Sequence, residues 1–435
     1  MKKTRLFIPL IILFVCVTNT YAQDWSQYLG SRGNSTSDQK GILRSWPATG
    51  PEVLWTTDVG IGYGGPVVKD GKVYLLDRDD KVGDKMRSFD LTNGKELWNF
   101  GYDAPGAVMF PGSRSVPIVD GSHVYSCGPY GDLYCINIKT QKPVWNKNVW
   151  KDFGGEQIPM WAISQCPLVY GDLLIVASQA PQAGVVAYDK LTGNVKWKTP
   201  SLGLVGYVSP AIVKVDGKDH VVMVTASGRG EGEPGKVVGM EPLTGKILWE
   251  YSKWNCHIPV ASAVDAGENR VLIVGGYELG ATMIKVEKKE DGSYGTTELF
   301  TTVEFGDQTK PPVLHNGYFY AQYGTNNRRD GLVCMKMDGQ IMWKTKKSPD
   351  FNKGSMILAD GLLLATDGAK TLYLIEPDPS GFKPIASAQL LVAAPTSDDQ
   401  MAARFGTQNW APIALADGKL LIRDQSRLMC IKVAQ

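Results

Sequence analysis

DLTNGKELW, residues 90–98, is the stretch on which the fold turns, because it comes back: DKLTGNVKW at 189–197, EPLTGKILW at 241–249 and a worn NIKTQKPVW at 137–145. Each residue type has a physical task. An Asp that begins a turn can bond the turn's own backbone, and Gly94, Gly193 or Gly245 can adopt positive φ at no steric cost. The phrase therefore predicts a tight turn between two strands, followed by a strand that ends on Trp. A Trp held there buries on the order of 150–250 Å² against a neighbour. Two residues before the Asp, or its replacement, stands a small side chain: Ser88, Cys135, Ala187, Gly239, Cys334 or Cys430. A small residue at that place lets an indole lie close over the strand.

Working outward, tryptophan sets a period. Trp55, Trp98, Trp145, Trp197 and Trp249 follow at steps of 43 to 52 residues, and Trp343 follows after a double step of 94. Phe300 lies near the place of the missing Trp, and a further unit ends near Leu390. Every unit opens with Pro and a short apolar run, as in GPVVKDG, VPIVDG, CPLVYG, SPAIVKVDG, PPVLHNG and APIALADG. Gly turns then separate further short runs rich in β-branched and aromatic residues, which read as strands; no stretch has sustained helical periodicity. Four antiparallel strands per ~50 residues make a propeller blade. The last unit supplies three strands, and EVLWTTDV at 52–59 is a lone outer strand at the other end of the chain. The reading is all-β: an eight-bladed propeller over 52–435 of four-stranded antiparallel blades, its ring closed where strand 52–59 completes the last blade, which leaves no open sheet edge.

The first 22 residues stand apart. MKKTR is a basic start, LFIPLIILFVCV an apolar run, and TYAQ offers a cleavage site after Ala22. This pattern reads as a signal peptide, 1–22, followed by an N-terminal extension, 23–51. Cys16 raises the rival of a lipoprotein anchor, but Val15 occupies the place where a lipobox wants a small residue, so soluble export to the periplasm or beyond is expected. No later run is long enough to span a bilayer. Without the leader the formal charge falls from +2 to about −1. A chain so balanced, with no basic run, is not expected to bind nucleic acid. A monomer is expected.

Chemical motifs are scarce. GEGEPGKV at 230–237 imitates a phosphate loop but has Val237 where Ser or Thr is needed, with Glu231 and Glu233 set against a phosphate. DRDDKVGD at 77–84 lacks the Gly and Glu spacing of an EF-hand and reads as a solvated loop. His123, His220, His257 and His315 have no ligand spacing, so no metal site is expected. There is no nucleophile elbow, no C-x-x-C and no adjacent pair of cysteines. Cys135, Cys334 and Cys430 are accounted for as small buried groups opposite the indoles.

The repeated phrase resembles that of the pyrroloquinoline quinone (PQQ)-like propellers, a superfamily that includes the quinoprotein alcohol dehydrogenases and the outer-membrane-protein assembly factor BamB. The resemblance covers nearly the whole chain after the leader. DWSQYLGSRGNS at 24–35 and GILRSWPATGPEVLWTTDVGIGYGGPVV at 41–68 are also similar to exported bacterial PQQ-repeat proteins. For the dehydrogenases the resemblance implies PQQ held with Ca²⁺, a catalytic Asp, a stacking Trp and often a disulfide between adjacent cysteines. That disulfide and a c-type haem motif are missing here, and no residue matches a motif for the Ca²⁺ ligands. PQQ with Ca²⁺ is therefore unsupported by motif, and no catalytic or cofactor-binding residue is carried over.

Function is then sought where the units differ. The loop leading into each innermost strand lies around the mouth of the central channel. The third residue before the opening Pro is Tyr63, Arg114, Ser164, Tyr207, Thr309 and Asn409, with Asn352 at the same place in the seventh unit and Pro259 in the irregular fifth. Neighbours add Gln165, His257, Gln308, Lys310, Lys353, Gln408 and Trp410, the long loop at 153–164 adds Glu156 and Trp161, and the hairpin at 323–331 adds Asn326 and Arg328. Aromatic faces beside amides and cations suit a small molecule, a carbohydrate or a peptide. The expected function is an exported binding or scaffold module with its ligand at this mouth, BamB-like in one version. The alternative is a quinoprotein-type oxidoreductase, or another carbohydrate-active enzyme, using the same mouth.

Overall fold

A computed structural model describes residues 24–228, 232–324, 328–393 and 407–435; the leader and Asn326 lie outside them. Eight sheets form the eight blades, and the only helical turn among the described residues is Lys151–Phe153. Blade one runs Val67–Lys69, Lys72–Asp79, Gly83–Asp90 and Glu96–Asp103, from the innermost strand outward. The innermost strands of blades two to eight are Ile118–Asp120, Leu168–Tyr170, Ala211–Val215, Val264–Asp265, Val313–His315, Met356–Ala359 and Ala414–Ala416. Blade eight takes its outer strand from the start of the chain: Val53–Asp58 pairs antiparallel with Arg427–Lys432, with Trp55 opposite Cys430. Ring closure is as expected from the sequence.

The outer belt explains the repeated phrase. Directly across the ladder from each indole sits the small residue: Ser88 faces Trp98, Cys135 Trp145, Ala187 Trp197, Gly239 Trp249 and Cys334 Trp343. A Cβ on Gly239 would come within 2.0 Å of the Trp249 ring. The indole also reaches forward to the next blade. Trp55 Nε1 donates to Leu91 O (2.9 Å), Trp145 to Lys190 O (3.1 Å), Trp197 to Pro242 O (3.1 Å) and Trp343 to Asp378 O (2.8 Å). The turn glycine of that next blade lies under the ring: a Cβ on Gly94, Gly193 or Gly245 would meet Trp55, Trp145 or Trp197 at 2.3 to 2.7 Å. So the glycine has two reasons to be there, its positive φ of 72° at Gly94 and the indole above it. Blade five, which lacks the phrase, breaks the series. Trp249 turns its N–H back to His220 Nδ1 within its own blade (3.0 Å), and Phe300 faces Met283 in place of Trp and a small residue.

One sequence expectation changes. DRDDKVGD is not a solvated loop. Its strands pair through Arg78↔Asp84 and Asp79↔Gly83, which leaves only a short exposed tip and draws Asp77, Arg78 and Asp84 inside. Arg78 meets Asp84 at 3.0 Å and Asp80 at 2.7 Å, and donates to the carbonyls of Ala104 and Gly106. Paired and hydrogen-bonded, these charges can be buried. The extension before the propeller is also part of its interior. Trp25 exchanges backbone hydrogen bonds with Val68, Val119 N donates to Ser26 O, and Thr36–Ser37 adds a parallel strand to the inner edge of blade seven. Leu43 N then reaches Val433 O. Asp24 binds Lys69 and the backbone of Asp70, which lie at the turn where the first innermost strand ends. The extension therefore crosses the channel at the end away from the mouth. All six cysteines of the described residues are free and buried.

Candidate functional site

The innermost strands run from the mouth toward the extension, so the DLTG-type turns sit on the face opposite the mouth. What surrounds the mouth is the connections, and they enclose a cavity of about 460 Å³. Of the residues singled out in the sequence, Tyr63, Arg114, Trp161, Ser164, Tyr207, Gln308, Thr309, Lys310, Lys353 and Trp410 line it. Tyr63, Phe110 and Trp410 form one aromatic group, with ring centroids 5.5 to 6.1 Å apart, and Trp161 meets Tyr207 edge-on at 5.4 Å.

The remaining candidates are placed elsewhere or act indirectly. Gln408 accepts the Tyr63 hydroxyl hydrogen at 2.7 Å and so orients that ring from behind. Gln165 is buried in the wall, its amide turned to Cys127 Sγ at 3.5 Å. Asn409 is buried too, donating to the carbonyls of Ala369 and Val392. His257 is exposed against the Tyr277 ring, and Glu156 is exposed outside the cavity lining. Arg328 pairs with Asp330 (2.5 Å) and Glu304 (3.0 Å). Position relative to the opening Pro sets where a backbone lies, whereas the rotamer decides whether the side chain faces the cavity or the wall.

Four lining residues carry no signal in the repeat: Tyr28, Met109, Phe110 and Tyr277. Tyr28 comes from the extension and forms the floor. Tyr277 sits in the turn GYELG and Phe110 in the long connection between blades one and two. Phe110, Tyr277 and Lys353 all have left-handed backbones, with φ of 60°, 54° and 62°. The same conformation occurs at hairpin positions such as Asp70, Asn316 and Asp360, residue types that tolerate it, and at a few larger residues outside the cavity such as Leu29, Gln179 and Lys346. Bulky residues held there are strained, and such strain gathers at ligand sites.

Among the described residues three cations face the cavity and no carboxylate does. Burial pulls the Arg114 guanidinium down to about 10, and its amino groups donate to the carbonyls of Trp161, Met109 and Phe110. Lys310 Nζ donates to Trp410 O (2.6 Å), Lys353 O (3.3 Å) and Thr309 Oγ1 (3.3 Å). Burial lowers it to about 8, opposed by Asp307 beneath. Asp307 is pushed up to about 6 by burial, against hydrogen bonds from the backbone of Thr309, Lys310 and Gln322. Lys353 is likewise lowered to about 8 by burial, and its ammonium lies 4.6 Å over the Trp410 ring. Ca²⁺ takes six to eight oxygen ligands, with carboxylates prominent. Among the described residues the cavity lining offers no carboxylate, and no group of three or more His, Cys, Asp or Glu is arranged for a metal. The described residues therefore do not fit PQQ held through Ca²⁺.

A family model described as outer membrane protein assembly factor BamB matches residues 83–291, from the third strand of blade one into blade five. A quinoprotein ethanol dehydrogenase of Pseudomonas aeruginosa is 29% identical over 150 residues, which are 32% of this chain and only 22% of that enzyme. Among solved structures, BamB from Moraxella catarrhalis superposes with a TM-score of 0.59 at 11% identity, covering 88% of this chain and 99% of that one. A europium-containing methanol dehydrogenase gives 0.63 at 13% identity, covering 94% and 89%. The quinohemoprotein alcohol dehydrogenase from Comamonas testosteroni gives 0.62 at 13%, covering 95% and 81%. At such identities the structures share the fold alone. No helix among the described residues is long and apolar enough to cross a membrane. Repeat, ring and relatives agree on the fold: the chain is an eight-bladed β-propeller, similar to the BamB and quinoprotein dehydrogenase propellers.

Proposed function

We propose that this propeller is an exported binding module whose ligand enters the channel mouth. One observation carries the reading: the residues that differ from blade to blade converge on a single cavity, walled by aromatics and strained at three of its lining positions. An aromatic-lined recess with a few placed polar groups is the usual form of a small-molecule site. The protein partners suggested by likeness to an assembly factor would meet the same face or the exposed outer strands. The test replaces Trp161 and Trp410 together by Ala. Both rings line the cavity, and neither belongs to the outer belt, so unfolding should shift little while capture of ligand is lost. Retained capture would exclude the mouth.

The match to a quinoprotein ethanol dehydrogenase supports a second reading, oxidation by a bound quinone in the same funnel. The described residues of the lining include no carboxylate, which weighs against it. Purified protein mixed with PQQ, with and without Ca²⁺, should show neither thermal stabilisation nor dye-linked oxidation of alcohols and sugars. A Ca²⁺-dependent gain in either would overturn the first reading in favour of the second.

A further inference from the structure

Lys353 is 6% exposed and belongs to the cavity lining, and its ammonium rests over the face of Trp410. Neither a salt bridge nor a hydrogen bond to its ammonium occurs among the described residues, although that group carries three N–H donors. The other two cations differ. Lys310 has three oxygen acceptors and Arg114 has three backbone carbonyls. Burying an ammonium without an acceptor is expensive, and a ring face compensates only in part. The fold nevertheless holds Lys353 there on a left-handed backbone (φ 62°), with Lys310 reaching its carbonyl oxygen from below. An arrangement of this kind is complete only when an anion arrives.

The rest of the lining narrows the class. An inorganic anion would leave the two aromatic groups uncovered. A purely aromatic acid would leave the neutral groups of Ser164, Ser209, Gln308, Thr309 and Tyr28 facing a surface that cannot match them. A neutral sugar would satisfy both of those and leave Lys353 alone. We infer that the funnel binds a sugar bearing a carboxylate, a uronic acid unit, with its apolar C–H face against Trp410 and Tyr63 and its carboxylate on Lys353. A cavity of about 460 Å³ lies within the range of small-ligand sites. The inference rests on the mouth being the binding site.

The experiment uses calorimetry on the intact chain with galacturonic and glucuronic acids and their short oligomers. The same sugars as neutral methyl esters, the parent neutral hexoses, benzoate and sulfate form the other arms. At least one free uronate should bind 10- to 100-fold more tightly than its methyl ester, the range set by one charge-assisted hydrogen bond. Lys353→Met should remove that preference and Lys353→Arg should restore part of it, both with melting close to that of the parent chain. Equal binding of acid and ester, tighter binding of benzoate or sulfate, or a preference that survives Lys353→Met would each overturn the inference. So would failure of every uronate to bind. In that case a different ligand captured in a Trp161- and Trp410-dependent way leaves the mouth standing, whereas capture that ignores both rings removes the mouth as well.

Discussion

The belt of indoles on the outside and the ring of connections around the mouth are built from the same blades, yet they obey opposite rules. On the belt one contact is copied: indole over small residue, indole N–H to the next blade's carbonyl, glycine beneath. At the mouth no contact is copied from blade to blade, and the backbone is strained where Phe110, Tyr277 and Lys353 stand. A contact copied around a ring serves the ring. A set of residues that follows no eightfold pattern, gathered on one cavity, serves something that is not itself eightfold. Blade five shows that the belt tolerates a local substitute, since Trp249 finds His220 where the turn of the next blade lacks the repeated phrase.

This contrast can be broken by measurement. The largest effect is expected from Trp197→Ala, which removes the indole that covers Gly245 and bonds Pro242 O. Loss of a buried Trp costs about 3–5 kcal/mol, read by urea unfolding; a loss under ~1 kcal/mol would mean the belt is ornament. Next comes Gly94→Val, expected to cost about 2–4 kcal/mol from backbone strain and overpacking together. Its control is Gly71→Ala. Gly71 has nearly the same φ, 70°, but nothing lies within 4 Å of its would-be Cβ, so only the roughly 1 kcal/mol of strain should appear. Equal losses at the two glycines would show that the indole above Gly94 contributes nothing.

The smallest effect, and the one of opposite sign, belongs to the mouth. Lys353→Met removes a buried charge with no anionic partner among the described residues, so stability should hold or rise slightly. A pH series sharpens the point. Burial lowers Lys353 to about 8 from an ordinary 10.5, with Asp307 opposing the shift and Arg329 adding to it. Below pH 8 the folded and unfolded chains both carry the proton, and the desolvation penalty is complete. Between about 8 and 10.5 the folded chain releases a proton that the unfolded chain keeps, so stability attributable to this group increases with pH. The stability difference between Lys353→Met and the parent chain should therefore shrink across that window. A pH-independent difference would mean the ammonium is hydrated.

The fold was legible because it is written eight times over. Local turn chemistry and a large aromatic at a fixed distance survive even when single copies wear, as NIKTQKPVW does. The cysteines opposite Trp145, Trp343 and Trp55 were legible for the same reason: a steric demand shows as residue size. The mouth was legible only by subtraction. Counting back from each opening Pro located Tyr63, Arg114 and Tyr207 on the cavity, but at Gln165 and Asn409 the same count led to side chains that turn into the wall. Tyr28 could not be found this way. Its place depends on where an extension crosses the whole ring, which no local pattern encodes. The acidic hairpin at 77–84 misled for a related reason, since its charges look solvated until Arg78 and Asp84 are seen to neutralise each other.

The crossing of that extension turns a pore into a well. With Trp25 tied to Val68, Ser26 to Val119 and Thr36–Ser37 laid along blade seven, the far end has a floor, and Tyr28 stands on it. That segment lies across the path from one face of the ring to the other. A ligand stopped by it turns round and leaves by the aperture it came through, so arrival and residence are both governed by a single doorway, and a second molecule seated over that doorway would decide how long the first one stays.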